Sequence, residues 1–229
     1  MLPGSCGRRQ WLAHFTALVA SAGLALGAPA SAASDQRPRQ AGAPLVLIVG
    51  DSLSAEYGLQ RGSGWVALLD ARLVQQKIAA TVVNASISGD TTSGGRTRLP
   101  ALLKQHRPAI VVLELGANDA LRGLPLAMTR ANLDAMAQAA KATGAKVVLA
   151  GMQLPPNYGR QYGDAFAGVF PAVAQAEGVA LVPFLLKGVA DVPQAESLFQ
   201  RDRIHPTAAA HPTILDNVWT VLQPLLTKR

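Results

Sequence analysis

A chain of 229 residues, 49% of them hydrophobic, is long enough to fold as one domain around a large buried core. It carries one cysteine, Cys6, so the fold cannot rest on an intramolecular disulfide. The net charge of +7 is mild, and no cluster of Lys and Arg is interleaved with aromatic residues, which argues against nucleic-acid binding. A net positive charge can attract anionic substrates. Beyond the N-terminal region, no apolar run approaches the ~18 residues that a membrane-spanning helix needs.

Residues 1–32 have the pattern of a secretory signal peptide. Arg8 and Arg9 form a positively charged n-region, residues 11–27 are mostly apolar, and Ala-Ser-Ala at residues 30–32 fits the small-x-small pattern before a cleavage site. We therefore expect a periplasmic or secreted protein that begins near Ala33. An N-terminal membrane anchor is the alternative, but glycines interrupt the apolar stretch and a cleavage pattern ends it.

In chain order, a short flexible lead-in over residues 33–43 precedes a single domain over residues 44–229. Runs of apolar and β-branched residues predict five strands, over residues 45–49, 81–84, 110–115, 146–151 and 179–182. Amphipathic spacing and stop signals predict a helix after each strand, over residues 64–77, 93–105, 129–143, 164–177 and 207–226. This alternation predicts an α/β fold, a three-layer α/β/α sandwich around a parallel five-stranded sheet.

Three local features of this assignment are specific enough to test. Thr129 is the expected N-cap of the third helix, because its hydroxyl can accept a hydrogen bond from the first turn. Gly144 is the expected end of that helix, since glycine adopts the left-handed conformation common at helix C-termini. Residues 154–163, which include two prolines and two tyrosines, are predicted to form a loop.

A serine follows the first strand at once, in the sequence Gly50-Asp51-Ser52. Ligands bind at the carboxyl ends of strands in a parallel sheet, so Ser52 is a candidate nucleophile. A serine needs a base, and that base needs a group to orient it. The stretch lacks the Gly-x-Ser-x-Gly nucleophile elbow, which argues against the α/β-hydrolase family proper. We expect Asp51 to shape the turn that presents Ser52.

The candidate base is His205, in the sequence Asp202-Arg203-Ile204-His205-Pro206. An acid three residues earlier can accept the Nδ1–H bond of the imidazole, which leaves Nε2 free as the base. The other histidines beyond residue 32 have ordinary interpretations. His106 is predicted to be a surface residue at a helix end, and His211 to be a surface or packing residue near the first turn of the last helix.

Two groups are candidate donors to an oxyanion: the backbone N–H of Gly89 and the side-chain amide of Asn118. Each alone is a weak signal, since glycine and asparagine are common in turns. Both follow predicted strands, as Ser52 does, and His205 precedes a predicted helix, so the carboxyl edge of the sheet would gather all of them. Together they fill the roles of an acyl-transfer site.

Four segments, residues 50–54, 84–91, 114–123 and 202–206, resemble the four sequence blocks of the GDSL, or SGNH, hydrolases. Residues 99–106 and 154–160 are similar to the periplasmic bacterial thioesterases of that family, which also act as lysophospholipases and arylesterases. The resemblance covers nearly the whole chain after residue 32. It implies a flavodoxin-like sheet, in agreement with the strand count reached from the pattern alone.

The resemblance also implies a role for each candidate residue. Ser52 would be the nucleophile, His205 the base and Asp202 its orienting acid. The oxyanion hole would consist of the backbone N–H groups of Ser52 and Gly89 and the side-chain amide of Asn118. No metal and no cofactor is implied.

The substrates implied by the resemblance are small acyl esters and thioesters, including acyl thioesters, lysophospholipids and aryl esters, which would pass through an acyl-enzyme on Ser52. Lipids are therefore among the expected partners. The segment after Asn118, residues 119–124, corresponds to a mobile segment over the acyl site in the family. The residues expected to contact substrate are Asp119, Leu121, Leu124, Leu154 and Pro155.

Three positions depart from the family pattern or lie close to the predicted site. Ala117 replaces a glycine common in the third block, which reduces backbone freedom at that turn. Arg203 stands where a smaller residue is usual, next to the base. Glu56 lies four residues after the nucleophile, where it can face the cleft. Arg203 and Glu56 are candidates for altering substrate preference.

The same residues leave three other functions open to comparison. A carbohydrate O-acetylesterase would use the same site, but only Trp65 and Trp219 remain after residue 32 for stacking on sugars. A non-catalytic binding module is disfavoured because the set of site residues is intact. A nucleotide-binding flavodoxin-like protein is disfavoured because the glycines of residues 89–95 are accompanied by no lysine.

Overall fold

The structure is a computed structural model that describes residues 42–227. The predicted signal peptide, Cys6 and the lead-in up to residue 41 lie outside the described residues. The strands are β1 (Leu45–Gly50), β2 (Thr81–Asn84), β3 (Ile110–Glu114), β4 (Lys146–Ala150) and β5 (Ala180–Val182). The α-helices are α1 (Trp65–Gln75), α2 (Thr92–His106), α3 (Ala117–Leu121), α4 (Leu126–Ala142), α5 (Arg160–Glu177) and α6 (His211–Thr227). Short 3-10 helices lie at Pro156–Tyr158, Ala195–Leu198 and Ala208–Ala210.

All five strands run parallel in one sheet, in the order β2-β1-β3-β4-β5. The chain steps outward from β1 to β2, crosses back over β1 to β3, and continues to β4 and β5. Because parallel crossovers are right-handed, this reversal puts α1 on one face and α2, α4 and α5 on the other. The contacts agree: α1 packs on α6, and α4 packs on α2 and α5. The predicted α/β fold is confirmed.

The crossover direction reverses between β1 and β3, which are neighbours in the sheet. Gly50 at the end of β1 pairs with Glu114 at the end of β3. In open α/β sheets, ligands bind in the crevice beyond the carboxyl ends of two such strands. Ser52 follows β1 and Asn118 follows β3 within a few residues, so the topology itself brings these two side chains to one crevice.

Burial on both faces explains the composition of the central strands. Every residue of β1 and β3 is buried, and almost all are Val, Leu or Ile, as expected of parallel strands with a helix layer on each side. On α5, Phe166 and Phe170 are also fully buried and pack edge to face, with ring centroids 5.2 Å apart. Within the described range no helix is both long enough and apolar enough to cross a membrane.

The start of α4 differs from the prediction. The helix begins at Leu126, behind Pro125, whose φ of −59° already suits a first helical turn, so Thr129 is not its N-cap. Thr129 is buried, and its hydroxyl donates to Oδ1 of Asp119 over 3.4 Å. The predicted end is confirmed, since Gly144 follows the helix with φ of +84°.

Two further local differences concern helices that begin near a glycine with positive φ. α5 begins at Arg160, inside the predicted loop of residues 154–163, because Gly159 (φ +84°) turns the chain into the helix. The short helix α3 follows Gly116 (φ +123°) and was not predicted, because five residues are too few to show a helical period.

Candidate active site

Three predicted side chains form one hydrogen-bonded chain. Ser52 Oγ lies 2.8 Å from His205 Nε2, and His205 Nδ1 lies 2.7 Å from Asp202 Oδ2. The carboxylate can only accept, so it fixes the proton on Nδ1 and leaves Nε2 to accept from the Ser52 hydroxyl. Ser52 and His205 are 153 residues apart in sequence, and the fold brings them into contact. This arrangement can deprotonate a serine as it attacks a carbonyl carbon.

The loop that carries His205 is held by hydrogen bonds to its own backbone. Asp202 Oδ1 accepts from the N–H groups of Ile204 and His205, each at 3.0 Å. The Gln200 N–H donates to the carbonyl of His205 over 2.7 Å, next to an antiparallel bridge between Phe199 and Pro206. One carboxylate therefore both shapes the loop and orients the imidazole.

The same contacts govern the ionisation of Asp202. Partial removal from water acts to raise its pKa, but the hydrogen bonds from the His205 N–H, the His205 ring and the Ile204 N–H outweigh that effect and lower the pKa to about 2. Asp202 therefore stays ionised throughout the neutral range, where it can stabilise the imidazolium that forms during proton transfer.

Tyr57 was not identified from the sequence, yet its ring packs on the base. Its centroid lies 4.3 Å from that of His205, at an interplanar angle of 37°, and half of Tyr57 is exposed. Gln200 Nε2 donates to the Tyr57 carbonyl over 2.9 Å, so the loop after β1 is bonded to the loop that carries the base. No spacing rule signals such a contact, because the two loops are far apart in sequence.

Two backbone groups of the predicted oxyanion hole point to no acceptor within residues 42–227: the N–H groups of Ser52 and Gly89. Gly89 has φ of +78°, a conformation that favours glycine, and its carbonyl accepts from Arg122 Nη2 over 2.8 Å. The Asp90 N–H closes this turn on the Ile87 carbonyl at 3.1 Å. The turn is thus closed by other groups, and the Gly89 N–H is left available as a hydrogen-bond donor.

Asn118, the third predicted donor, lies in the first turn of α3. Its Nδ2 donates to Asp51 Oδ2 over 2.9 Å, so the amide lies beside the turn that carries Ser52. Ala117, expected to restrict this turn, does not do so, because the left-handed conformation falls on Gly116.

A pair of buried carboxyl groups lies directly behind this turn. Glu114 Oε2 accepts from the Asp51 N–H over 3.2 Å and from the Ser54 hydroxyl over 2.7 Å. Burial raises the pKa of Asp51 to about 6, although hydrogen bonds from Leu53 and Asn118 and the nearby His205 act to lower it. Burial, followed by the charge of Asp51, raises the pKa of Glu114 well above its ordinary value. Asp51, with a pKa of about 6, is ionised near pH 8, and Glu114 keeps its proton to a higher pH than a glutamate in water does.

Between pH 5 and pH 8, Glu114→Gln is expected to gain stability relative to the wild type, by about 1.4 kcal/mol for each pH unit over which the folded chain keeps the Glu114 proton and the unfolded chain has released it. Above pH 4.5 the unfolded chain releases this proton and the folded chain keeps it, so the stability of the wild type falls as pH rises. Glutamine has no proton to release. The free energy of unfolding in urea, measured at pH 5 and pH 8, should therefore diverge between the two proteins as pH rises.

The matched control for this experiment is Glu196→Gln, which makes the same change on the exposed surface and should leave the pH dependence as it is in the wild type. A difference in stability between Glu114→Gln and the wild type that is equal at both pH values would contradict the raised pKa of Glu114. The one sign of this buried carboxyl pair in the sequence is Glu114 itself, a glutamate that ends an otherwise apolar strand.

The residues expected to contact substrate divide into two groups. Asp119 is fully buried, and its carboxylate accepts from the Thr92 N–H over 2.9 Å and from the Thr92 hydroxyl. Its oxygens are thus occupied inside the protein, and we assign it a role in holding the start of α2 in place of the predicted substrate contact. The others keep accessible surface beyond β3 and β4 and stay predictions: Leu121, Leu124, Leu154 and Pro155.

Neither charged residue singled out for substrate preference lies free beside the base. Glu56 accepts from the N–H groups of Gly62 (3.0 Å) and Gly64 (2.7 Å), so it closes its own loop. Arg203 pairs with Glu196 at 2.5 Å, with both side chains largely exposed. Among the described residues, no group of three or more His, Cys, Asp or Glu is placed to hold a metal ion.

Known proteins resemble the chain along most of its length. The model of the GDSL-like lipase/acylhydrolase family matches residues 48–212. Esterase TesA of Pseudomonas aeruginosa is 55% identical over 188 residues, which are 82% of this chain and 92% of that protein. Thioesterase 1/protease 1/lysophospholipase L1 of Escherichia coli K12 is 46% identical over 188 residues, 82% of this chain and 88% of its own.

Solved structures give the same result. The crystal structure of TesA matches with a TM-score of 0.76 and 55% identity, covering 79% of this chain and 99% of that one. The psychrotrophic esterase EstA from a Pseudoalteromonas species, in a structure inhibited by monoethylphosphonate, matches with a TM-score of 0.75 and 38% identity. The match covers 80% of this chain and 99% of that one.

Proposed function

The chain belongs to the family of GDSL-like lipases and acylhydrolases and is a carboxylic ester hydrolase, and on this premise we propose that it acts through an acyl-enzyme on Ser52. The observation that carries the proposal is the unbroken chain from Ser52 Oγ through His205 to Asp202, at 2.8 Å and 2.7 Å. Such a chain activates a hydroxyl that is otherwise a weak nucleophile.

The proposed reaction has two halves. Ser52 Oγ attacks the acyl carbon while His205 Nε2 takes its proton, and the oxyanion accepts from the N–H groups of Ser52 and Gly89 and from the Asn118 amide. His205 then returns the proton to the leaving alcohol or thiol, and the acyl group stays on Ser52. In the second half His205 deprotonates a water molecule, which attacks the acyl-enzyme and releases the carboxylic acid.

The proposed substrates are acyl thioesters, lysophospholipids and aryl esters. Support comes from the relatives, one named an esterase and another a thioesterase and lysophospholipase, and from half-buried leucines beyond the ends of β3 and β4 that suit an acyl chain. Because no donor of the site is specific for the leaving group, oxygen and sulfur esters can share one mechanism.

The direct test is hydrolysis of p-nitrophenyl esters from short to long acyl chain, beside acyl-CoA, lysophospholipid and acetylated sugars. We expect turnover of esters and thioesters by the wild type and a kcat lower by about 10⁶ for Ser52→Ala purified in the same way. Hydrolysis of sugar acetates alone would contradict the substrate range. Ester turnover that persists in Ser52→Ala would contradict the acyl-enzyme.

We also propose that the protein is exported to the periplasm or secreted, on the strength of the basic, apolar and small-residue pattern in residues 1–32. Cell fractionation and N-terminal sequencing test this directly. The exported form should begin near Ala33, and a cytoplasmic protein that keeps Met1 would contradict the proposal.

A further inference from the structure

Asp51 lies between the turn that carries the nucleophile and the side chain of Asn118. It is 1% exposed. Its Oδ1 accepts from the Leu53 N–H over 3.0 Å, and its Oδ2 accepts from Asn118 Nδ2 over 2.9 Å. Each carboxylate oxygen thus contacts one part of the site, the first the turn around Ser52 and the second the amide of Asn118.

The backbone of Asp51 is held from behind. Its N–H donates to Glu114 Oε2, which also accepts from the Ser54 hydroxyl, and Ser54 Oγ accepts from Trp65 Nε1 over 3.2 Å. Trp65 and Glu114 are fully buried. Asp51 is therefore set on a rigid, buried support and cannot turn toward solvent without breaking several hydrogen bonds.

A carboxylate next to an amide decides which way the amide faces. The ionised group only accepts hydrogen bonds, so the NH₂ of Asn118 and not its carbonyl oxygen must face Asp51. One Nδ2 hydrogen is used by Asp51, and the other remains for an oxyanion beside Ser52. A flipped amide would oppose two acceptor oxygens and offer no donor to the substrate.

We propose that Asp51 is a positioning residue, which holds the Asn118 amide in the orientation that donates to the oxyanion. The proposal rests on the proposed acyl transfer at Ser52 and extends it by one residue. It also assigns Asp51 a second role beside the shaping of the Ser52 turn. The Asp51 carboxylate contacts the Leu53 N–H and the Asn118 amide, so in this proposal it acts through its neighbours.

Asp51→Asn should lower kcat about 10- to 100-fold, because the new amide can offer its NH₂ to the Asn118 carbonyl and so stabilise the flipped form. The limit is the loss of one oxyanion donor, which typically costs about 10²–10³ in kcat. KM should stay near the wild-type value, since the donor acts mainly in the transition state. An increase in kcat would overturn the proposal, because it would mean that the charge of Asp51 opposes the oxyanion.

The decisive measurement is a double-mutant cycle with Asn118→Ala. If Asp51 acts through Asn118, then Asp51→Asn should lower kcat no further once the amide is gone. Effects that multiply in the double variant would assign Asp51 to the Ser52 turn alone and overturn the proposal. Asp164→Asn makes the same chemical change on the exposed side of α5 and should leave kcat unchanged.

A second readout uses the wild-type protein and so survives a variant that fails to fold. In the NMR spectrum of the free protein, one side-chain amide proton of Asn118 should be shifted downfield by its bond to Asp51, and the other should shift only when a phosphonate modifies Ser52. Two Asn118 amide protons that exchange places freely would overturn the proposal. Absence of ester turnover in the wild type, by contrast, would overturn the proposed function itself.

Discussion

Ser52→Ala is expected to lower kcat for p-nitrophenyl esters by about 10⁶, because the first half of the reaction loses its nucleophile. Ser52 Oγ is the one hydroxyl bonded to His205 Nε2 in residues 42–227, so no neighbouring serine can replace it. The structure should survive the change, since the lost bond is a single contact at the edge of the sheet. The residual rate then measures the acceleration that substrate binding and the remaining oxyanion donors provide on their own.

The measurement is a pair of assays on the same protein: steady-state hydrolysis, and labelling by an organofluorophosphonate with peptide mapping. Wild-type protein should be labelled at Ser52 and the variant should not be labelled at all. Ser197→Ala removes an exposed hydroxyl that donates to the Gln194 carbonyl and is the matched control, expected to turn over and label as the wild type does. Labelling that persists in Ser52→Ala would place the nucleophile elsewhere.

Asp202→Asn should lower kcat by about 10⁴, the scale of an acid-to-amide change in a serine triad. The new amide can donate to Nδ1, which would put the imidazole proton on Nε2, where it faces Ser52 and cannot accept. The asparagine oxygen can still accept from the N–H groups of Ile204 and His205, so the loop should keep its shape.

This effect is distinguished from misfolding by circular dichroism and thermal unfolding, which should match the wild type. Asp216→Asn makes the same change on the exposed face of α6 and should leave kcat unchanged. A turnover of Asp202→Asn within a few fold of the wild type would remove Asp202 from the triad.

The sequence predicted most of the fold because its strands are strongly patterned. The strands that begin at Leu45 and Ile110 are apolar apart from Glu114 at the end of the second, as expected of strands covered on both faces. Local sequence patterns do not determine the order of the strands in the sheet. That order decides that β1 and β3 are neighbours and that Glu114 lies behind Asp51, which is why this pair was not anticipated.

The errors fall on buried polar residues. Asp119, Thr129 and Thr92 form a cluster with no contact to solvent, whereas the pattern had assigned Asp119 to substrate and Thr129 to a helix cap. Polar side chains are mostly exposed, so their burial becomes visible only when the partners meet across the fold. The three residues of the predicted triad are different, because each follows a strand or precedes a helix, and the sheet edge brings such positions together.

His205, the proposed base, lies shortly before α6, and α6 packs against α1. His211, at the start of α6, is buried and accepts from the Trp65 N–H over 2.9 Å, and Arg72 of α1 pairs with Asp216 of α6 at 2.7 Å. Synthesis proceeds from the N-terminus, so the ribosome makes Ser52 long before His205. A nascent chain that has folded only as far as β5 holds a serine without a base. On the proposed mechanism, ester turnover therefore requires that the chain has been synthesised through His205 and that His205 has reached Ser52.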